Sequence, residues 1–106
     1  MNITILGTGK VGHTIGTKLI QLGHNVIMGS RTSTNEKANA WVKVNGVNSS
    51  QSTFSEAAKF GEIIFNCTSG MASLEALKLA GGENMKGKIL IDVANPLDFS
   101  KGMPPT

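Results

Sequence analysis

Six of the first 29 residues are glycine, and three of them, Gly7, Gly9 and Gly12, stand in the spacing G-x-G-x-x-G. What flanks this run makes it the strongest constraint on the fold. Before it lies Asn2 to Leu6 (N-I-T-I-L), an apolar segment with the length and β-branched content of a buried strand. After it, Val11, Ile15, Leu19 and Leu22 recur at i, i+4, i+8 and i+11. That is the stripe of an amphipathic helix over about Lys10 to Leu22, closed at Gly23-His24. A strand that turns through glycines into a helix is the context in which this spacing carries meaning.

The rest of the chain alternates in the same way. Asn25 to Gly29 (N-V-I-M-G) predicts a second strand. Ser33 and Glu36 have capping-box spacing and predict a helix to about Val44, with Ala38, Trp41 and Val42 as its apolar face. Asn45 to Ser52 is polar and reads as a loop holding a minimal strand around Val47. Thr53 and Glu56 form a second capping box for a short helix ending near Gly61. Glu62 to Cys67 (E-I-I-F-N-C) is the next strand, and Thr68-Ser69-Gly70 its turn. A helix from about Met71 to Ala80, with Leu74 and Leu77 inward, ends at Gly81-Gly82. Lys88 to Val93 is the last strand, closed by Ala94-Asn95-Pro96. The expected architecture is therefore α/β: a three-layer, doubly wound parallel sheet of about five strands, NAD(P)-binding and Rossmann-like. One domain is expected over residues 1–96, with a loop-like tail at 97–106.

Composition removes other classes. No apolar run approaches the roughly 20 residues of a membrane span, and one cysteine makes neither an internal disulfide nor a zinc cluster. With 40% hydrophobic and 16% charged residues the chain is not of disordered composition. No signal-peptide pattern opens it, so a cytoplasmic protein is expected. Residues 1–53 carry five cations (Lys10, Lys18, Arg31, Lys37, Lys43) against the single acid Glu36, while residues 54–106 are close to balanced. This asymmetry suits an anionic small molecule bound by the first half. Nucleic acid suits it less, because the cations are dispersed and there is no tyrosine for base stacking.

The candidate phosphate site is the loop Gly7-Thr8-Gly9-Lys10-Val11-Gly12. Gly7 would permit the tight turn, Gly9 the approach of a pyrophosphate to the backbone, and Gly12, with Gly16, close packing of helix on strand. The helix N-terminus would offer free N–H groups and a partial positive charge. The end of the second strand would choose the nucleotide. NAD sites place an acid there for the ribose hydroxyls, whereas this chain reads Gly29-Ser30-Arg31-Thr32, with Gly29 where the acid would stand. Ser30 and Thr32 can donate hydrogen bonds, Arg31 can pair with a 2′-phosphate through its planar fork, and Lys37 is a plausible second cation. These features favour NADP(H) over NAD(H), and the missing acid also disfavours S-adenosylmethionine. Cys67, Thr68 and Ser69 after the fourth strand, and Ala94, Asn95 and Pro96 after the fifth, would line the nicotinamide end, with Met71 over one ring face. No metal site and no catalytic acid–base group is predicted. His13 could reach a phosphate but reads as solvent-facing, and His24 belongs to a turn. Cys67 reads as a small buried hydrophobe, Trp41 as filler between helix and sheet, with adenine stacking as the alternative, and Asp92 as a tie to a neighbouring loop.

Four segments together, G-T-G-x-V-G at Gly7–Gly12, L-G-H at Leu22–His24, G-S-R-T at Gly29–Thr32 and D-V-A-N-P-L at Asp92–Leu97, resemble the NADPH-dependent coenzyme F420 reductase family. The resemblance spans about residues 1–100. It implies hydride transfer between NADP(H) and coenzyme F420, or another redox ring such as a flavin, with the protein mainly positioning the two rings. It also implies that Thr8, Ser30, Arg31 and Lys37 hold NADP phosphates, while Thr68, Ser69, Ala94, Asn95 and Pro96 lie by the nicotinamide. Members are roughly twice this length, and their later half closes the deazaflavin pocket. The acceptor site would then be completed by a further C-terminal half or by another subunit of a homo-oligomer. A non-catalytic module that senses a dinucleotide and acts through a partner is the alternative, and a pure scaffold would bind no nucleotide.

Overall fold

The computed structural model describes residues 1–68 and 72–93. Five strands, β1 (Asn2–Leu6), β2 (Asn25–Ser30), β3 (Ser49–Thr53), β4 (Ile63–Asn66) and β5 (Ile89–Asp92), form one sheet in the order β3-β2-β1-β4-β5. All four pairings are parallel, and β1 at the centre aligns Leu6 with Gly29 on one side and with Asn66 on the other. The helices are α1 (Lys10–Gln21), α2 (Glu36–Asn45), α3 (Phe54–Phe60), α4 (Ala72–Ala80) and the single turn α5 (Gly82–Met85). The expected doubly wound α/β class is the one observed. Among the described residues, no helix is long and apolar enough to cross a membrane.

Two cores explain why β1 reads as continuously apolar. A strand with helices on both faces buries both sets of alternating side chains. Ile3 and Ile5 point into a core with Val26, Met28, Ala38 and Trp41 under α1 and α2. Leu6 points the other way, into a core with Phe54, Ala58, Ile64, Ala76 and Ala80 under α3 and α4. Thr4 shares that second face, fully buried, and its hydroxyl donates to the Ala57 carbonyl.

Several expectations need correction. The stripe of α1 is rotated: Gly12 and Gly16 are its buried residues, Ile15 and Leu19 pack beside them, and Val11 and Leu22 are exposed. Hydrophobic periodicity cannot register a glycine, yet the two glycines are where the helix touches the protein. A Cβ on Gly16 would stand 2.7 Å from the Trp41 ring. Trp41 itself is buried between helix and sheet, as expected, with its Nε1–H donating to Thr17 Oγ1 at 3.2 Å. The first capping box does not form. Asn35 caps α2 instead, accepting from the Ala38 N–H at 3.0 Å. Thr53 does cap α3, accepting from the Glu56 N–H.

The segment expected as a loop around Val47 is a 3-10 turn at Gly46–Asn48 followed by the edge strand β3, and Val47 is almost wholly exposed. The strand is polar because it lies at the sheet edge. Ser49 donates to the Gly46 carbonyl, and Gln51 reaches the Ser33 carbonyl and Asn39. On α4, Leu74 points outward, and small Ala76 and Ala80 make the contact with α3, with Leu77 partly buried beside them. Gly81, with φ +89°, turns the chain into α5 rather than into a loop. At the other edge, β5 leaves Ile89, Leu90 and Ile91 exposed.

Candidate functional site

β1 has β2 on one side and β4 on the other, so the winding direction of the sheet reverses there. Loops leaving the carboxyl ends of strands diverge at such a point and open a crevice. In this chain the crevice is a cleft of about 430 Å³. Gly7, Thr8 and Gly9 reach it from β1, Ser30, Arg31 and Thr32 from β2, and Cys67 and Thr68 from β4. Asn35, Phe54 and Ala72 complete the walls.

The three glycines of the turn differ in what they require. Gly7 has φ +118°, and a Cβ there would lie 3.1 Å from the Cys67 backbone. A Cβ on Gly12 would lie 3.1 Å from Ile5 Cγ2 and 3.2 Å from the Gly7 carbonyl oxygen. Both are glycine because the protein packs against them. Gly9 is different: its φ of −84° suits any residue, and a Cβ would meet nothing within 4 Å. Its missing side chain leaves open space in the wall of the cleft. Gly9 is also the N-cap of α1, with no side-chain cap and no acid in the first turn. Among the described residues, the opening N–H groups and the positive end of the helix dipole thus have no side-chain counterpart.

At the end of β2, Gly29 is buried within the strand, and a Cβ would stand 2.9 Å from the Ala57 Cβ. It is glycine to admit α3, and the residues that reach the cleft from this strand end are Ser30, Arg31 and Thr32. Ser30 is buried and commits its hydroxyl proton to the Thr32 carbonyl at 2.7 Å, bending the loop. Thr32 Oγ1 accepts weakly from the Thr34 N–H at 3.4 Å. Arg31 directs its guanidinium to Glu75 on α4, Nη1 to Oε2 at 2.8 Å, with Nη2 on Oε1.

The end of β4 is organised by Asn66, which is fully buried. Its Nδ2–H donates to Ser73 Oγ at 2.8 Å and to Asp92 Oδ1 at 3.5 Å, and its Oδ1 accepts from the Thr68 hydroxyl at 2.6 Å. One amide therefore ties β4, β5, α4 and the outgoing turn together. Asp92, expected to tie down a neighbouring backbone or loop, accepts here from the Asn66 side chain on the adjacent strand β4. Cys67 packs against the first core, and burial pushes its thiol up to about 11. It is a poor nucleophile by environment.

Of the residues singled out from sequence, Gly7, Thr8, Gly9, Ser30, Arg31, Thr32, Cys67 and Thr68 converge on the cleft. Lys10 and Val11 sit on the first turn of α1 with exposed side chains, and Lys37 is exposed on the first turn of α2; none of the three lines the cleft. His13 faces grooves shared with Thr17 and Trp41 rather than the cleft. Ser69, Ala94, Asn95 and Pro96, with Met71 and the tail, lie outside the described residues. Sequence reasoning passed over Asn35, Phe54, Asn66 and Glu75. Only Asn35 carries a local signal, as a good N-cap residue one position before a helix.

Comparison with known proteins supports the same fold and a family. The family described as NADP oxidoreductase coenzyme F420-dependent matches residues 2–96. A protein of Arthrobacter sp. FB24, provisionally assigned as an F420-dependent NADP-reductase, is 43% identical, with a TM-score of 0.82 over 100% of this chain and 50% of its own. A reductive aminase of Aspergillus terreus, solved with NADPH, is 26% identical (TM-score 0.71, 90% of this chain, 32% of that one). The pyrroline carboxylate reductase of Plasmodium falciparum, solved with NADP, shares the fold at 15% identity (TM-score 0.68, 95% and 36%). Curated protein sequences gave no match. The chain spans about half the length of the Arthrobacter protein or less of the others. On its residues 2–96, the chain belongs to the family of coenzyme F420-dependent NADP oxidoreductases.

Proposed function

We propose that the cleft binds NADP(H), and that the chain is the cofactor-holding part of an oxidoreductase passing hydride between NADP(H) and a second redox ring such as coenzyme F420. The observation that carries the proposal is the open turn at Gly9 over an uncapped helix N-terminus, with Arg31 at the end of the neighbouring strand. A pyrophosphate fits the first and a 2′-phosphate the second.

The dinucleotide supplies the hydride chemistry itself. The residues of this chain bind and orient it. The opening N–H groups of α1 would hold the pyrophosphate, and Gly9 would let it approach. Arg31 and the Thr32 hydroxyl would take the 2′-phosphate. Thr68, held by Asn66, would set the wall at the nicotinamide end. Transfer between two redox rings requires no proton donor on the protein, which suits a site whose one thiol is held protonated. With β5 exposed and relatives twice as long, the acceptor ring would be held with help from a further segment or a second subunit.

Calorimetric titration of the chain with NADPH, NADH and ATP tests the proposal. NADPH should bind in the micromolar range and more tightly than the other two. Arg31→Ala should weaken NADPH at least tenfold more than NADH, since a charge-assisted fork is worth about 1.5–3 kcal/mol. Equal losses would sink the 2′-phosphate assignment. NADPH binding with no hydride passed to F420 or flavin by any longer or oligomeric form would favour a sensing module.

A further inference from the structure

Arg31 lines the cleft from the end of β2, and its partner Glu75, on α4, is 44 positions further along the sequence. Glu75 stands on the first turns of α4, one helical turn beyond Ala72, which itself lines the cleft. The guanidinium and carboxylate meet fork to fork, with two parallel N–H···O contacts. Their side chains are 61% and 49% exposed, so the pair contributes little as a structural tie. Its geometry matters more, because it fills the Nη1/Nη2 fork, one of the two bidentate faces of the guanidinium, and holds the side chain toward α4.

We infer that Glu75 is a specificity-determining residue: an internal anion that fills the fork of Arg31 in the free chain and competes with the 2′-phosphate for it. The inference rests on the 2′-phosphate reading of Arg31. A ligand with a 2′-phosphate has either to displace the carboxylate from this fork or to take the remaining N–H groups of Arg31, and in both cases it binds beside a like charge. A ligand with a plain ribose diol need not, since a carboxylate oxygen accepts hydroxyl hydrogens and Arg31 can stay where it is. Glu75 therefore narrows the preference that Arg31 creates. It plays in space the part that an acid at the end of β2 plays in NAD sites.

The test measures NADPH and NADH affinities of the 106-residue chain as wild type, Glu75→Gln, Glu75→Asp and Arg31→Ala. Glu75→Gln should tighten NADPH about two- to fivefold, the worth of an exposed ion pair, and leave NADH unchanged or weaker. The NADPH/NADH ratio should rise accordingly, and Glu75→Asp should return it toward wild type. In an Arg31→Ala background the Glu75→Gln gain in NADPH should shrink. An unchanged or lowered ratio in Glu75→Gln, with Arg31→Ala still selectively losing NADPH, would overturn the role of Glu75 and leave the NADP(H) proposal standing. If Arg31→Ala loses both nucleotides equally, the 2′-phosphate reading fails and takes this inference with it. Urea midpoints of the variants, expected within error of wild type, separate these outcomes from a folding defect.

Discussion

Gly9→Ala separates binding from folding more cleanly than any other single change. The added methyl enters open space, and the backbone at φ −84° accepts alanine. Alanine restricts the unfolded chain, worth about 0.4–1 kcal/mol in favour of folding. It is a poorer N-cap than glycine by a similar amount. The two effects offset, and the net change should lie within about 0.5 kcal/mol, a melting shift of a few degrees at most. Binding has no such compensation. The methyl occupies the surface a pyrophosphate must touch and holds it off the N–H groups of α1. Loss of one charge-assisted hydrogen bond, about 1.5–3 kcal/mol, raises the Kd for NADPH roughly 10- to 150-fold.

Gly7→Ala is the contrast. Its φ is +118° and its Cβ would press on the Cys67 backbone at 3.1 Å, so a loss of about 1–3 kcal/mol in stability is expected. The chain has one tryptophan, Trp41, and it is buried, so its fluorescence through a urea titration reads stability, while calorimetry reads NADPH. A Gly9→Ala protein that melts like wild type and binds NADPH within twofold of it would refute the placement of the pyrophosphate. One that loses several kcal/mol would show that the space beside Gly9 is not open.

Three further expectations concern the end of β4. With its thiol pushed up from 9.0 to about 11, Cys67 should react with a disulfide reagent at pH 8 roughly 100-fold more slowly than an unfolded thiol, and at the ordinary rate in denaturant; equal rates would contradict its burial. Because the folded state holds that proton more tightly, the thiol's contribution to stability is intact below pH 9 and is lost as pH rises toward 11. The urea midpoint of wild type should fall relative to Cys67→Ala across that window, and parallel curves would count against it. Asn66→Ala should lower stability by about 1–3 kcal/mol, since it strands the buried side of Ser73 and Thr68, and should weaken the nicotinamide end more than ATP binding; a neutral variant would show that the network is solvent-compensated.

Much of the fold was legible because the deciding residues were neighbours in sequence. β1, β2 and β4 are apolar runs, and the turn at Gly7–Gly12 announces itself by spacing. β3 lies a few residues beyond the minimal strand expected around Val47, because Ser49–Thr53 (S-S-Q-S-T) has no apolar residue to mark it; it is a strand through its pairing with β2 and the reach of Gln51. The face of α1 was misread by one position because its contact residues, Gly12 and Gly16, have no side chains to count. A leucine outranks an alanine on any hydrophobic scale, which points to Leu74 as inward, whereas α4 packs through Ala76 and Ala80 with Leu77 beside them and leaves Leu74 exposed. In the site, Arg31 could be read from its place after a strand. Its partner could not, because Glu75 meets it only through the tertiary packing of α4.

Gly7 rests against the backbone of Cys67, some 60 residues further along the chain. The glycine turn therefore has no finished shape until β4 has docked beside β1. A growing chain that has released only β1 through β3 holds every residue from the start of the phosphate turn to Arg31, yet lacks the wall that closes the cleft. Nucleotide capture should thus come late in synthesis, after the central strand has both its neighbours. Dinucleotide at about 100 times its Kd would then add roughly 2.7 kcal/mol to the assembled state alone. The cell's cofactor pool would act as a latch on the docking of β4 beside β1.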